Sequence, residues 1–472
     1  MSVEAFLRWL AYDILWNPYL PFLFLVAGVI VSAFHGFFQF RKFGTIVKNV
    51  FGARAKVGGP GIITQLEAFF TTVGNVVGLG NIVGVASAIA LAGPGAVFWM
   101  WMSALVGMGL KAVEAALAVH TRTQLPDGRT YGGPTWYMEL LHKIYRIPKW
   151  VVSILIGTFI IGFYVTVPLP PYSYTIQELF KTTFKLPVEW AIAIGFLHAL
   201  FATIVVAFEI PGVAKFSYYA VPTMLVLYFF FALSVLVFYA PNIPQAISDI
   251  FTYAFQPVPA IAGGFAGATM LLTMRVGIAR GIYSNEAGWG TSPHIYATSK
   301  GVRHPGDVSP LAAMDVFTDT IVICTLTGLM VTASGVWKTG IGGFTAVAQA
   351  VRSVYGEVGV YILFAGTWLF MITTYVGGAV YQMVLWRYML LPRGVPVKTV
   401  DKVVRIWNLI RYWPAMIVAS YFMWLGLRPA IVWITADIAN AIPLYPHLIT
   451  LILLAPLGRK LIKEWEHIQK SS

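Results

Sequence analysis

The sequence predicts an all-α, polytopic membrane protein with about eleven transmembrane helices, ten of which form two inverted groups of five. The composition carries the membrane assignment. Of the 472 residues, 58% are hydrophobic and 11% are charged, and the mean hydropathy is +0.75. A soluble chain of this length would need about a quarter of its residues charged to cover its domains. The two groups of five follow from glycine-rich interruptions in two of the spans.

Apolar runs between polar connectors define the spans, and each is about 20 residues or longer, which is enough to cross a bilayer. They lie at roughly 18–40, 68–92, 95–119, 150–172, 188–208, 216–240, 257–279, 311–335, 358–391, 407–427 and 431–457. We predict four parts of the chain. These are an extra N-terminal transmembrane helix with a cytoplasmic loop (1–63), a first five-helix repeat (64–240), a second, inverted five-helix repeat (241–458) and a basic cytoplasmic tail (459–472).

The distribution of lysine and arginine predicts the orientation in the membrane. With the N-terminus outside, 24 of these residues fall in cytoplasmic segments and 6 in external segments. Cytoplasmic loops of membrane proteins retain Lys and Arg, so the N-terminus is predicted outside and the C-terminus in the cytoplasm. The same bias accounts for the net charge of +13 without a nucleic-acid partner. The single cysteine, Cys324, cannot form an internal disulfide.

Two spans differ from ordinary lipid-facing helices. Residues 74–81 of span 2 read GNVVGLGN, and residues 262–269 of span 7 read AGGFAGAT. Clustered glycines in a membrane helix indicate either close helix packing or local unwinding. Each of these spans opens a group of five, and because five is odd the two groups cross the membrane in opposite directions. This arrangement favours unwinding, since it is typical of secondary transporters with a binding site between the repeats.

Unwound helices would supply binding groups from their own backbone. Freed N–H groups at the start of a half-helix suit a carboxylate, and freed carbonyls suit a small cation such as sodium. On span 9, Thr373 and Thr374 precede Gly377 and Gly378. Their hydroxyls could complete a cation shell, or each could bond to a carbonyl of its own helix.

Charged residues near spans 7 and 8 are predicted to form ion pairs or a gate rather than to contact substrate. Arg275, Arg280 and Glu286 cluster at the expected cytoplasmic end of span 7. Asp315 and Asp319, at i and i+4 on span 8, are expected to meet those arginines.

Three more charged residues lie within spans. Lys111 and Glu114 are at i and i+3 on span 3, so we expect them to pair with each other. Asp437 in span 11 has no evident partner in the sequence, and helix packing is favoured over a role in proton transfer.

Four stretches carry a family resemblance, namely residues 93–101 (GPGAVFWMW), 78–82 (GLGNI), 132–134 (GGP) and 280–288 (RGIYSNEAG). In these the chain resembles the alanine or glycine:cation symporters, a prokaryotic family of sodium-coupled amino-acid transporters. The resemblance implies a leucine-transporter-like fold with an inverted 5+5 helix repeat and one extra N-terminal helix. It also implies sodium as the coupling ion, no other cofactor, and the cell membrane of a prokaryote.

The resemblance implies two sets of site residues. Sodium would be bound by backbone carbonyls and hydroxyls of Gly74, Val77, Phe370, Thr373 and Thr374. The residues assigned to the substrate pocket are Asn75, Gly78, Gly80, Phe265, Ala266, Gly267, Thr269, Tyr172 and Gly378.

Two positions depart from the family. On span 4 the family has a Gln and Asn pair where residues 169–173 read LPPYS, and on span 9 the family has a tryptophan where this chain has Gly378. Losing a bulky aromatic enlarges a pocket, and losing amides removes polar contacts to a small amino acid. A larger amino acid would then fit, with Tyr172 or Tyr174 supplying a hydroxyl.

We therefore predict a sodium-coupled symporter that moves a neutral amino acid, alanine-like, glycine-like or somewhat larger, into the cell by alternating access. Its expected partners are the amino acid, sodium and the lipid bilayer; the oligomeric state stays open and is compatible with a monomer. The alternatives are a proton-coupled transporter of a different small carboxylate or amino acid, and a transporter-like sensor that only binds its ligand. We predict no enzyme, because the eight histidines have no metal-ligand spacing and no nucleophile lies beside a base.

Overall fold

The computed structural model describes residues 3–17, 19–52, 58–166, 170–261, 264–427 and 429–471. Within these ranges the regular secondary structure is helical except for a two-stranded antiparallel hairpin, β1 (Thr123–Gln124) and β2 (Thr130–Tyr131), and two isolated β-bridges. The predicted all-α class is confirmed. Residues 167–169 of span 4 and residues 262–263 of span 7 lie outside the described residues.

The helices of the first half of the chain are α1 (Val3–Arg8), α2 (Tyr19–Phe34), α3 (Phe38–Arg41), α4 (Phe43–Gly52), α5 (Gln65–Val76), α6 (Val85–Ala92), α7 (Gly95–His120), α8 (Pro134–Met138), α9 (Leu140–Tyr145), α10 (Lys149–Thr166), α11 (Pro170–Phe184), α12 (Val188–Ala207) and α13 (Glu209–Phe238). Those of the second half are α14 (Ile243–Phe255), α15 (Met270–Asn285), α16 (Ser292–Tyr296), α17 (Ser309–Val316), α18 (Thr325–Ala333), α19 (Gly343–Gly377), α20 (Ala379–Leu390), α21 (Val397–Ile410), α22 (Tyr412–Trp424) and α23 (Pro429–Ser471). Three π-helical segments, Trp9–Leu15, Gly80–Gly84 and Phe317–Cys324, adjoin α1, α6 and α17.

Most predicted spans correspond to helices long and apolar enough to cross a membrane. Among the described residues there are eight such segments, or nine if the bent pair α5 and α6 is one span. They match predicted spans 1 to 6, 8, 9 and 11. The positions of spans 7 and 10 are occupied by shorter helices, α15 with 16 residues and α21 and α22 with 14 and 13. The protein is therefore a multi-pass membrane protein.

Helix α7 lies at the centre of the structure and is buried along almost its whole length. Helix α15 packs against it through small residues. A Cβ atom added at Gly277 of α15 would lie 2.5 Å from the backbone oxygen of Ala96. A Cβ atom at Gly281 would collide with the side chain of Ser103. Such close backbone approach is how membrane helices gain packing contacts that lipid cannot replace.

The loops predicted to be cytoplasmic contact one another at one end of the helices. The Ile62 N–H donates to the Thr298 carbonyl at 2.7 Å, and an Arg129 nitrogen lies 3.0 Å from an Asp401 oxygen. Arg129 also donates to Asp127 at 2.7 Å and holds the pKa of that carboxyl below its usual value. These contacts agree with the predicted grouping of loops on one side of the membrane.

The loops predicted to be external meet at the other end. The Phe265 N–H donates to the Lys338 carbonyl at 3.0 Å, and the Asn242 side chain donates to the Ala333 carbonyl at 3.0 Å. Thr273, near the start of α15, donates to the carbonyl of Ala92 at the end of α6 at 2.8 Å. Helix α15 therefore begins at this end and runs toward the opposite loops.

The break predicted in span 2 is confirmed. Helix α5 stops at Val76, Val77 has extended backbone angles (φ −77°, ψ 93°), and the second half of the span is bent by 42° from the first. The glycines at 78 and 80 favour the break, because glycine lowers helix stability and its lack of a Cβ lets Thr374 and Ser284 approach closely.

The break predicted in span 7 is in the wrong place. Residues 264–269 form an extended loop before α15, with a β-bridge between Val258 and Ala268, and do not interrupt a helix. The interruption follows α15 instead, where residues 286–291 separate it from α16. Glu286, Gly288 and Gly290 there have positive φ angles of 55°, 74° and 85°. Prolines at 257 and 259 keep the earlier stretch out of a helix altogether.

The contact between α7 and α15 predicts the effect of added methyl groups. Gly277→Ala should lower the free energy of unfolding by about 1–3 kcal/mol, because the new methyl meets a backbone oxygen that cannot move aside. Gly157→Ala on α10 is the matched control. A Cβ there has no atom within 4 Å, so the change should be neutral or slightly stabilising. Thermal unfolding of the purified variants in detergent measures both; equal melting temperatures would contradict the close approach.

Candidate substrate and cation site

The breaks in the two interrupted helices lie against each other. Asn75, in the last turn of α5, donates through Nδ2 to Oε2 of Glu286 at 2.8 Å. A Cβ added at Gly80 would lie 3.1 Å from the Cα of Ser284. Non-helical backbone from both halves of the chain therefore meets at one buried place. This is the arrangement in which a site can be built from backbone groups.

The break after α15 is braced by two charged residues of α7. Lys111 Nζ donates to the carbonyl of Asn285 at 2.5 Å. Glu114 Oε1 accepts from the Gly288 N–H at 2.6 Å. The ion-pair partner of Lys111 is Asp315, at 3.1 Å. The expectation that Lys111 and Glu114 chiefly pair with each other is therefore wrong, since each satisfies freed backbone groups on the broken helix.

The acidic residues of span 8 do not meet the arginines of span 7 as expected. Asp315 binds Lys111, and Asp319 Oδ1 accepts from Asn81 Nδ2 at 2.6 Å and from Ser284 Oγ at 3.2 Å. Asp319 thus connects span 8 to both interrupted helices. It is fully buried, as is Asp315. They contact α7, α15, α16 and the π-helical segment Gly80–Gly84, whereas Arg280 pairs with Asp437.

Glu286 and Arg275 also differ from the predicted cluster. Glu286 Oε2 accepts from Asn75 at 2.8 Å and from the hydroxyl of Tyr381 at 3.3 Å. Arg275 is half-buried in the half of α15 nearer the external loops. The predicted cluster is therefore wrong. Helix α15 runs in the predicted direction but covers residues 270–285, so Arg275 lies in its external half, while Arg280 and Glu286 bind Asp437 and Asn75.

Arg280 forms an ion pair with Asp437 of α23, with Nη1 and Oδ1 3.1 Å apart. Asp437, which the sequence left without a partner, also accepts from the hydroxyl of Tyr12 at 2.8 Å. Its backbone carbonyl accepts from the Trp16 indole at 2.6 Å. The pair therefore joins α15 to α23, and the N-terminal segment holds the aspartate in position.

A cavity of about 510 Å³ lies beside this ion pair. It extends along the second half of span 2, the outer part of α11 and the start of α19. The lining residues are Tyr12, Leu79, Val83, Gly84, Ser87, Leu91, Thr175, Glu178, Leu179, Thr182, Arg280, Tyr283, Gly342, Gly343, Phe344, Thr345 and Ile434. We call it the vestibule. Its residues Gly342, Gly343 and Phe344 lie toward the end where the predicted external loops meet.

Most residues predicted for the sodium shell are brought together between α5 and α19. The hydroxyl of Thr374 donates to the carbonyl of Gly74 at 3.3 Å, whereas that of Thr373 donates to the Phe370 carbonyl of its own helix at 3.0 Å, the alternative that the sequence left open. Val77 closes the C-terminal end of α5. Carbonyl and hydroxyl oxygens are ligands that suit a hard cation. Sodium binding here stays a prediction.

The residues predicted for the substrate pocket divide into two groups. Asn75, Gly78 and Gly80 lie at the break of span 2, where the Gly78 N–H already donates to Asn81 Oδ1 at 2.7 Å. Gly378 is next to Gly377, at which an added Cβ would lie 3.0 Å from the Cβ of Asn75. These positions surround the junction of α5 and α19.

Tyr172 lies beside the vestibule, whereas the span 7 residues predicted for the pocket do not. The Tyr172 hydroxyl accepts from the hydroxyl of Tyr283, a vestibule residue, at 2.9 Å. Phe265, by contrast, packs on Trp337 with ring centres 5.7 Å apart at the external end. The group that the structure places outside the pocket consists of Phe265, Ala266, Gly267 and Thr269. The predicted position of these four residues is wrong because the glycines before α15 mark a loop and not the helix break.

Several residues that shape this region were not predicted. Tyr283 faces the vestibule, and Tyr381 bonds to Glu286 at 3.3 Å. Asn285 supplies the carbonyl that Lys111 binds. The available signal was the polar run from 280 to 288 inside an apolar region, which contains Tyr283 and Asn285. No comparable signal marks Tyr381, because one tyrosine in a long span is unremarkable.

Comparisons with known proteins find one family of similar sequences along almost the whole chain. The sequence model described as the sodium:alanine symporter family matches residues 2–472. The sodium/alanine symporter AgcS of Methanococcus maripaludis is 30% identical over 460 residues, which are 97% of this chain and 96% of that protein. The probable sodium/glutamine symporter GlnT of Bacillus subtilis is 32% identical over 352 residues, 74% and 70% of the two chains.

A similar solved structure is the crystal structure of MhsT in complex with L-phenylalanine. It superposes with a TM-score of 0.54 and 12% sequence identity, covering 86% of this chain and 99% of that chain. At this identity the likeness concerns the fold alone. The predicted leucine-transporter-like fold is confirmed.

The buried pair of Lys111 and Asp315 gives a prediction for stability. Lys111→Met and Asp315→Asn should each lower the free energy of unfolding by about 3–5 kcal/mol, because each leaves a buried charge without its partner. The double variant should lose clearly less than the sum of the two. As a control, Arg352→Gln breaks the exposed pair with Glu357 and should cost less than about 1 kcal/mol. Unfolding in detergent tests this, and strictly additive losses would refute the pairing.

Proposed function

The chain belongs to the sodium:alanine symporter family, and we propose that it imports a neutral amino acid together with sodium by alternating access. Membership of a family of secondary amino-acid transporters supports transport in general. The choice of sodium and of a neutral substrate is supported by the residues at the break of span 2.

The observation that carries the proposal is the junction of Gly74 and Thr374. A carbonyl freed by the end of α5 and a hydroxyl of α19 lie 3.3 Å apart, with the Thr373 hydroxyl next to them in sequence. A sodium ion bound between them would join the first repeat to the second. The affinity for sodium would then differ between conformations in which these helices approach or separate, which is what coupling requires.

The substrate site we propose lies between this junction and the vestibule. Gly378 stands where the family has a bulky aromatic and directly follows Gly377, which packs against Asn75, and Tyr172 offers a hydroxyl from α11. The names of the relatives include symporters of alanine and of glutamine, both neutral amino acids. We therefore propose a neutral substrate between these sizes.

We assign Arg280 and Asp437 to an outer gate. The pair spans from α15 to α23 beside the vestibule at 3.1 Å, and Tyr283 and Tyr172 meet beneath it at 2.9 Å. Closing the vestibule above the substrate would require α15 and α23 to stay joined. The proposed orientation in a prokaryotic cell membrane, with the N-terminus outside and the C-terminus cytoplasmic, makes this side external.

The division of the chain is part of the proposal. Residues 64–240 and 241–458 would be the inverted repeats, preceded by the extra helix of 1–63 and followed by the tail of 459–472. The contact of Asn75 with Glu286, one from each repeat, supports a site at the repeat interface.

Sodium coupling is tested with purified protein in lipid vesicles. An inward sodium gradient should concentrate alanine or glutamine in the vesicles, and a potassium gradient should not. Thr374→Ala should raise the sodium concentration for half-maximal uptake by roughly ten- to a hundredfold, because it removes a hydrogen-bonding group from a charged ligand. The control is Thr223→Ala, an exposed threonine that bonds only to its own helix at 3.0 Å. Sodium-independent uptake, or identical behaviour of the two variants, would exclude the proposed shell.

The gate is tested by a double-mutant cycle on the uptake rate. Asp437→Asn and Arg280→Gln should each slow uptake by about tenfold or more, since either leaves the other group without its partner. The double variant should be no slower than the worse single variant. Arg352→Gln, in an exposed pair 2.8 Å long, should leave the rate unchanged. Multiplicative losses in the double variant would mean that the two residues act separately.

A further inference from the structure

Arg411 is a buried cation that lacks an acceptor among the described residues. It lies between α21 and α22, and 2% of it is exposed. Its Nε, Nη1 and Nη2 atoms are all buried and form no hydrogen bond. A guanidinium has five N–H donors, and burying them unpaired costs several kcal/mol. A fold does not retain such a group without compensation.

Arg387, another buried arginine of the described chain, serves as a reference, because its Nη1 and Nη2 have acceptors and only its Nε has none. Arg387 is 1% exposed, and its Nη2 lies 3.0 Å from oxygens of both Glu209 and Asp401. Its Nη1 also donates to the Met383 carbonyl at 2.9 Å. The same protein therefore surrounds one buried guanidinium with carboxylates and leaves the other without any. The lack of acceptors is therefore a property of the residues around Arg411 and not of buried arginines in this protein generally.

Aromatic side chains surround Arg411. Its guanidinium carbon lies 5.0 Å from the ring centre of Tyr412, which stacks on Tyr375 at 4.4 Å. Its electrostatic neighbours are Tyr412, Tyr375 and Tyr164, with no carboxylate among them. A cation–π contact stabilises the charge by about 0.5–2 kcal/mol and leaves the in-plane N–H groups unsatisfied.

Further unsatisfied donors lie beside it. The Tyr164 hydroxyl and the Trp386 indole nitrogen are buried and form no hydrogen bond within the described chain. Their rings are 5.7 Å apart, and Tyr164 is an electrostatic neighbour of Arg411. The guanidinium, the hydroxyl and the indole N–H are all hydrogen-bond donors, and none of them has an acceptor among the described residues. What this place lacks is a negatively charged acceptor.

We propose that Arg411 and Tyr164, with Trp386 at the edge, form a binding site for a monovalent anion, either chloride or the carboxylate of a solute. The anion would accept hydrogen bonds from the guanidinium and the hydroxyl. It would also neutralise the buried positive charge, so occupancy should stabilise the folded protein. Stability is the property to measure, because it does not require the protein to transport anything.

The site is close to the residues proposed for sodium. Tyr375, which lies between Arg411 and α11, directly follows Thr374, and its hydroxyl lies 2.8 Å from that of Ser173. An anion at Arg411 would offset the positive charge that otherwise opposes a cation at the threonines. The anion site nevertheless stands on the unpaired guanidinium alone, so it remains if the proposed coupling to sodium fails.

The first experiment uses the purified full-length protein in detergent without amino acid. Its melting temperature is measured while sodium MES, a bulky sulfonate, is replaced by sodium chloride at constant sodium concentration. A saturable rise identifies chloride as the ligand. A parallel series replaces sodium MES by sodium acetate, a monovalent carboxylate that is not an amino acid. A rise with acetate, and none with chloride, identifies a solute carboxylate. If neither anion raises the melting temperature, the proposal is overturned.

The second experiment distinguishes the site from a general salt effect. Arg411→Met keeps an apolar stem but removes the guanidinium, and it should abolish the rise. Tyr164→Phe removes one donor at nearly constant volume and should raise the half-maximal anion concentration several-fold. Arg352→Met, at an exposed arginine, should respond like the wild type. If Arg411→Met does not fold, Tyr164→Phe decides. An unchanged titration in every folded variant of the site would overturn the proposal.

Discussion

The backbone N–H and C=O groups at two helix breaks must form hydrogen bonds, and the rest of this structure depends on this constraint. Lipid cannot bond to free N–H and C=O groups, so an interrupted membrane helix must be completed by other parts of the protein. Lys111 donates to the last carbonyl of α15, at Asn285. Glu114 accepts from the Gly288 N–H, and Asn81 accepts from the Gly78 N–H. These polar side chains explain why α7, the most central helix, carries two charged residues in its buried length.

The completed breaks leave some backbone and hydroxyl oxygens for ligands. At the junction of α5 and α19, the Gly74 carbonyl accepts from the Thr374 hydroxyl, and Thr373 bonds to the Phe370 carbonyl of its own helix. The cation site that we propose there would need no fixed charge at the centre of the membrane. The charged side chains instead hold the helices in position around it, through the Lys111–Asp315 pair and the contact of Asn75 with Glu286.

The two breaks differed in how well they could be predicted, for a physical reason. In span 2 the glycines lie within an apolar run with no proline, so a helix forms on both sides and stops between them. In span 7 the prolines at 257 and 259 prevent the first half-helix, and the same glycine signal marks a loop. The second break, at 286–291, depends on positive φ angles at Glu286, Gly288 and Gly290. Glutamate in that conformation is held there by contacts with Asn75 and Tyr381, which no local pattern reveals.

Composition and charge distribution alone identified the bilayer as the solvent, located nearly every span and grouped the loops by side, because these properties depend on burial in lipid and on position along the chain. The pairing of the buried charges was decided by tertiary structure. Asp437 pairs with Arg280, which is 157 residues away in the sequence, and Asp315 pairs with Lys111 instead of an arginine. A partner depends on which faces of distant helices meet, and helical spacing describes neighbours on one helix only. Tertiary structure also decides the environment of Arg411, because the lack of an acceptor for its guanidinium depends on which helices surround it.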